Sequence, residues 1–393
     1  CIFVINTLYM PNNTFLQKHF KINLPLWTII CPILSGFLLL FKTSLPDSLI
    51  SQIILGIALI ASVLSAVYHA EIVAHKVGEP FGTLILALAI TIIEVSLIVS
   101  LMLSETDEGP SALARDTVFA AIMIILTGII GICLFIGGYR FKEQVFVKQG
   151  VNSALITLIA ISVLTLILPN YTTSGVGNQY SESQLIFVAI ISLVLYLGFV
   201  GVQAIRHRDY FLPEQIEKKP LDPHQIIDEH HDENEDHAEP PTLLTTITSL
   251  LMLFVGLVAV VLLSKKLSPT IEEIVMSMGA PKSLVGIIIA LVILLPEGLA
   301  AIKAVRKDRL QTSLNLALGS ALASIGLTIP AVAIVCFFTG MTINLGIDGK
   351  SSLLMLLALF IISISFNTNK TNIQQGIVLL VIFATYLFTT IVP

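Results

Sequence analysis

Eleven apolar runs of roughly bilayer-spanning length follow one another along the chain, at about residues 24–42, 48–69, 81–104, 116–138, 150–168, 184–204, 243–263, 283–303, 313–338, 351–366 and 375–391. A hydrocarbon core of about 30 Å needs some 20 apolar residues in a helix, so each run predicts one transmembrane helix. The first run stands alone. The other ten fall into two sets of five, separated by a long polar stretch at 205–241. A unit with an odd number of spans, repeated once, must enter the membrane the second time with the opposite orientation, the inverted-repeat plan common in secondary transporters. The pattern therefore predicts an all-α, polytopic membrane protein: an N-terminal segment with the leading span (1–45), a first five-helix repeat (46–204), a loop (205–241) and a second five-helix repeat (242–393).

Polar positions inside the runs carry the candidate chemistry. From Phe81 to Leu103 the only ionisable residue is Glu94, and Glu297 lies late in the corresponding run Ser283–Val305. A carboxylate at that depth costs about 2.5–3.5 kcal/mol on insertion scales, so it is expected to face a cavity or a partner. Because the two helices run in opposite directions, their acids can converge near the midplane. Gly78, Pro80 and Gly82 mark the entry to the first of these helices, and Pro296 precedes Glu297 in the second. Proline frees the carbonyl of residue i−4, here Val292, which points to a broken-helix ion site. In span 9, Asn315, Ser320, Ser324 and Thr328 fall on nearly one helical face, and Gly319 and Gly326 would admit a neighbouring helix closely. Span 4 offers only Thr117 and Thr127.

Composition agrees with this reading: 55 % of residues are hydrophobic and 12 % charged, well below the quarter usual in soluble domains. Nothing favours a nucleic-acid partner, and the lipid bilayer is the expected surroundings. Placing the N-terminus in the cytoplasm puts 15 Lys and Arg on the inside and 6 outside, which favours that orientation, with loop 205–241 cytoplasmic. The four cysteines, Cys1, Cys31, Cys133 and Cys336, are widely separated and read as packing residues. The chain opens on Cys1, Met10 offers an alternative start, and no separate cleavable signal is evident. Within the long loop, Asp222–Glu239 holds eight acids and four histidines and no Lys or Arg. Its centre, Asp228, Glu229, His230, His231, Asp232, Glu233, Glu235 and Asp236, would attract cations and change charge near neutral pH, as a solvated linker or as a regulatory element.

Two stretches, HKVGEPFGTLILALAITIIEVSLI and LLPEGLAAIKAVRKDRLQTSLNLALGSALASIGLTIP, resemble the two α-repeats of the calcium/cation antiporter superfamily, most closely the bacterial ChaA-type calcium or sodium (potassium)/proton antiporters. The resemblance implies that Glu94 and Glu297 are the ion-binding acids, that Glu79 is an acid at the mouth of the first repeat, and that Ser320 is a polar member of the second. In one respect the sequence departs from the wider superfamily. The vacuolar type carries Asn-Ala-Thr-Glu or Asn-Ala-Ala-Glu, whereas Thr91-Ile92-Ile93 and Leu294-Leu295-Pro296 precede the acids here.

Calcium takes six to eight oxygens, and two carboxylates match its charge; Thr91, Asn315, Ser320 and Ser324 would add neutral oxygens. The same pair can hold protons instead, and a site that carries either load but crosses poorly when empty gives Ca2+/H+ exchange without any cofactor. Sodium and potassium fit the same donors. A membrane hydrolase would need a metal-binding His-Glu-x-x-His, a Gly-x-Ser-x-Gly elbow or facing aspartates, none of which occurs. A channel would need a symmetric ring of pore residues, unlike an internal duplication with one acid per half. The cytoplasmic (inner) membrane is the expected location, and association into a homo-oligomer stays open.

Overall fold

The structure, a computed structural model, describes residues 24–41, 49–78, 81–103, 109–173, 179–211, 241–277, 279, 281 and 283–392. Eleven helical segments run through these residues: α1 (Leu26–Phe41), α2 (Leu49–Val77), α3 (Phe81–Met102), α4 (Leu113–Phe141), α5 (Lys148–Tyr171), α6 (Glu182–Arg206), α7 (Leu243–Ser277), α8 (Ser283–Arg306), α9 (Leu310–Thr339), α10 (Gly349–Ser365) and α11 (Ile373–Ile391). Each coincides with a span expected from the sequence. Large apolar side chains such as Ile57, Ile156, Phe254 and Phe360 lie on the outside, and eight of the helical spans are long and apolar enough to cross a membrane. This is a multi-pass membrane protein.

Two helices overrun their expected ends. α2 continues to Val77 and α7 to Ser277, straight through Pro269. At 35 residues α7 is about 52 Å long, well beyond the hydrocarbon thickness. Lys265 and Lys266, expected in a loop, are therefore exposed residues of that helix.

Contacts between helix ends sort the connections onto two faces. On one, β1 (Gln144–Val145) pairs antiparallel with β2 (Lys370–Thr371). Gln144 there donates to the Asp308 carboxylate at 2.7 Å, and the Val147 amide donates to Gln311 at 2.7 Å. On the other face Ser111 bridges to Ile343, Arg115 donates to the Gly346 carbonyl and Asn170 to that of Ile347. This alternation is what successive membrane crossings require.

The interior divides into two apolar clusters. One joins α4, α5, α6, α9, α10 and α11; the other joins α2 and α7. α3 and α8 lie between them: Ile93, Leu97, Ile289 and Ile293 belong to the second cluster, while Ile98, Met102, Ala290 and Leu294 belong to the first. Helix α4 is the most enclosed, with 83 % of its apolar window buried against 28 % for α6 and for α11. Packing is paired across the halves: α3 lies on α9 as α8 lies on α4, and α6 lies on α9 as α11 lies on α4.

Candidate functional site

Glu94 and Glu297 come from the two helices at the seam, and both are almost fully buried, at 3 % and 5 % exposure. They are near enough for the charge of Glu94 to act on Glu297. A carboxylate buried among Ile93, Leu97, Ile293 and Leu294 loses most of its hydration, so it needs a donor, a proton or a cation. The two acids meet that need differently. Glu94 accepts a hydrogen bond from the hydroxyl of Ser324 on α9. Glu297 has no hydrogen-bond partner at either oxygen among the described residues. Buried carboxylate oxygens without a donor are a chemical demand that a proton or a cation could meet.

Local sequence explains the close approach. Gly298 follows Glu297, and a Cβ there would stand 3.3 Å from Ile129 of α4. Ile129 closes a π-helical stretch, Ile124–Ile129, in which Thr127 spends its hydroxyl on the Met123 carbonyl. On α9 a Cβ at Gly326 would stand 2.7 Å from Cβ of Tyr196, so this glycine lets α6 close onto the helix that carries Ser324. Gly319 has open space around it and plays no such part.

The other expected residues separate into three groups. Thr91 is buried one turn before Glu94 on α3, and Ser320 is half-buried one turn before Ser324 on α9. Thr328, one turn further, is buried, and its hydroxyl has no partner among the described residues. Asn315 does not join them. It lies nine residues, about 13 Å along the helix, from Ser324, and its amide donates to the Phe211 carbonyl while accepting from Gln311. Glu79 and the acidic stretch from Asp228 to Asp236 lie outside the described residues. The expected break at Pro296 is also corrected: α8 runs unbroken from Ser283 to Arg306, and α3 is likewise continuous. The helix absorbs the proline because neighbouring helices hold it on both sides.

One acid escaped the sequence reading. Glu71, on the overrunning end of α2, is half-buried and feels the charge of Lys303 on α8, and its own charge reaches Glu297. An acid one residue-pair beyond a hydropathy window reads as loop; the helical continuation AEIVAHKV was the available signal.

A ten-helix transport body with paired packing, an additional leading helix and two buried acids at the seam defines an ion-transporting membrane protein rather than an enzyme. Comparison with known proteins makes the class specific. The chain matches the sodium/calcium exchanger protein family over residues 48–205 and 248–392 and belongs to it. It is 39 % identical to the putative ionic transporter y4hA of Sinorhizobium fredii over 94 % of this chain and 97 % of that one. It is 33 % identical to the sodium-potassium/proton antiporter ChaA of Escherichia coli over 92 % and 95 % of the two chains. Among solved structures, an H+/Ca2+ exchanger, CAX, superposes with a TM-score of 0.66 over 92 % of this chain and 87 % of that one, at 15 % identity, a likeness of fold. The protein is thus a cation exchanger of the calcium/cation antiporter superfamily.

Proposed function

We propose that the protein is a secondary active cation/proton antiporter that exports Ca2+ in exchange for H+, with Glu94 and Glu297 as the shared site. The observation that carries this reading is the pair of buried carboxylates on α3 and α8, one with a single hydroxyl donor and one with none. Two such charges are compensated by one divalent ion or by two protons. Left empty, they make reorientation costly, because a bare charge must move through an apolar seam. Loaded with either partner they cross neutral, which couples the two flows. Ser324 and Thr91 supply the neutral oxygens nearest in the sequence to the acids' own turns. Motion of the α2–α7 cluster against the other, with α3 and α8 between, would open the site to each side in turn. The inverted five-helix repeats, the cytoplasmic N-terminus and the inner-membrane location belong to the same proposal.

A second reading, Na+ or K+ in place of Ca2+, is favoured by the printed name of the E. coli relative and by the absence of an asparagine before either acid. In proteoliposomes or everted vesicles holding a pH gradient, Ca2+, Na+ and K+ are added in turn to the wild type, Glu94→Gln and Glu297→Gln. Dissipation by Ca2+ that both substitutions abolish is the expected result. Dissipation by Na+ or K+ alone keeps the site and replaces the ion. Full exchange by either glutamine variant refutes the site.

A further inference from the structure

On the face opposite the strands, the ends of four helices line a cavity of about 240 Å3. α4 contributes Arg115 and Asp116 from its first turn, α8 its first residue Ser283, α10 its N-terminal Asp348 and Lys350, and α11 contributes Tyr386 near its C-terminal end. These polar groups are only partly used within the protein. Arg115 donates to Asp116 at 2.7 Å and to the Gly346 carbonyl at 3.2 Å, and Lys350 donates to the Thr389 carbonyl at 2.6 Å. Both cations keep further N–H groups. Asp348 stands at the N-cap of α10 without a side-chain capping bond, and its carboxylate meets no partner among the described residues. Tyr386 is only 4 % exposed although it lines the cavity, and its hydroxyl also meets no partner among the described residues.

Two acids and two bases around one small space suit neither a lone cation nor a lone anion, since each would meet two like charges. A ligand carrying both signs answers the whole lining. Its anionic part would meet Lys350, Arg115 and the first amides of α4, α8 and α10, all of which begin here. Its cationic part would meet Asp348 and the free oxygen of Asp116. The surface below the cavity says where such a ligand comes from. Leu353, Leu357, Phe360 and Ile364 continue the face of Lys350 along α10 at three- and four-residue spacing, and all four are exposed. We infer that the cavity seats the headgroup of a phospholipid with a primary ammonium, phosphatidylethanolamine in class, with an acyl chain along this stripe of α10. A primary ammonium has N–H groups to give Asp348, which a trimethylammonium lacks. The headgroup would join the first turn of α8, the helix of Glu297, to three neighbours. α8 already touches α4 there, where a Cβ at Gly286 would stand 3.1 Å from the carbonyl carbon of Asp116.

Detergent-purified protein is titrated with phosphatidylethanolamine, phosphatidylcholine and phosphatidylglycerol of the same acyl chains, and bound lipid is counted by native mass spectrometry. The wild type should hold phosphatidylethanolamine about tenfold more tightly than either of the others, the effect of one charge-assisted hydrogen bond. Asp348→Asn should bring it down to the level of phosphatidylcholine, and Lys350→Met should weaken all three lipids about tenfold. Tyr386→Phe should weaken phosphatidylethanolamine about threefold. Lys370→Met, an exposed position on the strand-bearing face, should change nothing. Equal affinity for the three lipids, a preference for phosphatidylglycerol, or a preference for phosphatidylethanolamine that survives both Asp348→Asn and Lys350→Met overturns the inference. Phosphoethanolamine without acyl chains, added as a competitor, should leave the lipid in place at equal concentration; displacement there assigns the cavity to a free solute and overturns the lipid. If Tyr386→Phe does not accumulate in the membrane, the results at the exposed Asp348 and Lys350 decide it.

Discussion

Gly326→Ala, compared with Gly319→Ala on the same helix, measures how tightly α9 is clamped at the site. A Cβ at Gly326 would stand 2.7 Å from Cβ and 3.0 Å from Cγ of Tyr196, whereas nothing lies within 4 Å of one at Gly319. Restoring an ordinary contact requires α6 and α9 to part by roughly 0.7 Å or the tyrosine to leave its buried position. Overpacking of this kind costs about 1–3 kcal/mol. Against that stands the helix-forming advantage of alanine over glycine, about 1 kcal/mol, which both variants gain. Gly319→Ala should therefore be neutral or slightly stabilising, and Gly326→Ala about 1–3 kcal/mol less stable than Gly319→Ala. The displacement also reaches the site, because Ser324 is two residues away. A shift of that size takes an O–H···O bond from its usual 2.7–2.8 Å to the limit of a hydrogen bond, so Glu94 loses its donor and exchange slows. Thermal unfolding in detergent and proton-coupled transport in liposomes are the two assays. A Gly326→Ala protein as stable as Gly319→Ala and equally active would refute the close approach of α6 to α9.

Removing the donor itself by Ser324→Ala forfeits a hydrogen bond to a charged group worth about 1.5–3 kcal/mol, so the apparent cation affinity should change by roughly tenfold or more, with Ser324→Thr closer to wild type; a silent Ser324→Ala in the same transport assay would remove the serine from the site. On the strand-bearing face, Gln144→Ala loses a largely buried bond to Asp308 and should cost about 1–2 kcal/mol of stability, while Glu143→Gln breaks only an exposed ion pair with Lys370 and should lie within about 0.5 kcal/mol of wild type in the same unfolding assay. Helix α1 lies outside the matched family residues and is held to α2 by Ser35–Ser62 at 2.8 Å and by bonds from Ser65 and His69 to the Thr28 carbonyl at 2.6 and 3.1 Å. At about 0.6 kcal/mol per bond within a membrane, Ser65→Ala with His69→Leu should loosen α1, read as faster labelling of Cys31 by a membrane-permeant maleimide, without abolishing transport.

The helices and the two central acids were legible because both signals are local. An apolar run of bilayer length has only one structure open to it, and a lone carboxylate inside such a run stands out against it. Ser324 was legible as a member of a polar face, but the sequence could not rank it above Asn315, Ser320 or Thr328. That ranking comes from where α3 crosses α9, a tertiary fact. Asn315 shows the limit most plainly: same face, same helix, yet its amide ties the end of the α6 connection to α9. Gly319 and Gly326 repeat the lesson, since only the second meets a neighbour. Glu71 was lost for a different reason. Hydropathy windows stop where charges begin, while α2 continues as a helix past them, so Glu71 fell outside the expected span.

The asymmetry between the two acids follows from the helices that cross them. α9 brings a serine hydroxyl to Glu94, whereas Thr127 of α4, the helix packed on α8, turns its hydroxyl back to its own helix, and Glu297 meets no donor among the described residues. Of the two acids, one therefore has a donor within the protein and the other none among the described residues. On the proposed reading Glu297 sets the demand for an incoming charge, since no side chain among the described residues donates to it. Giving Glu297 a donor from α4 would relieve that demand. Ile129→Ser, opposite Gly298, is the position closest to doing so, and it should weaken the coupling of cation to proton flow, measured as a lower ratio of cation moved per proton released, before it reduces the rate of either.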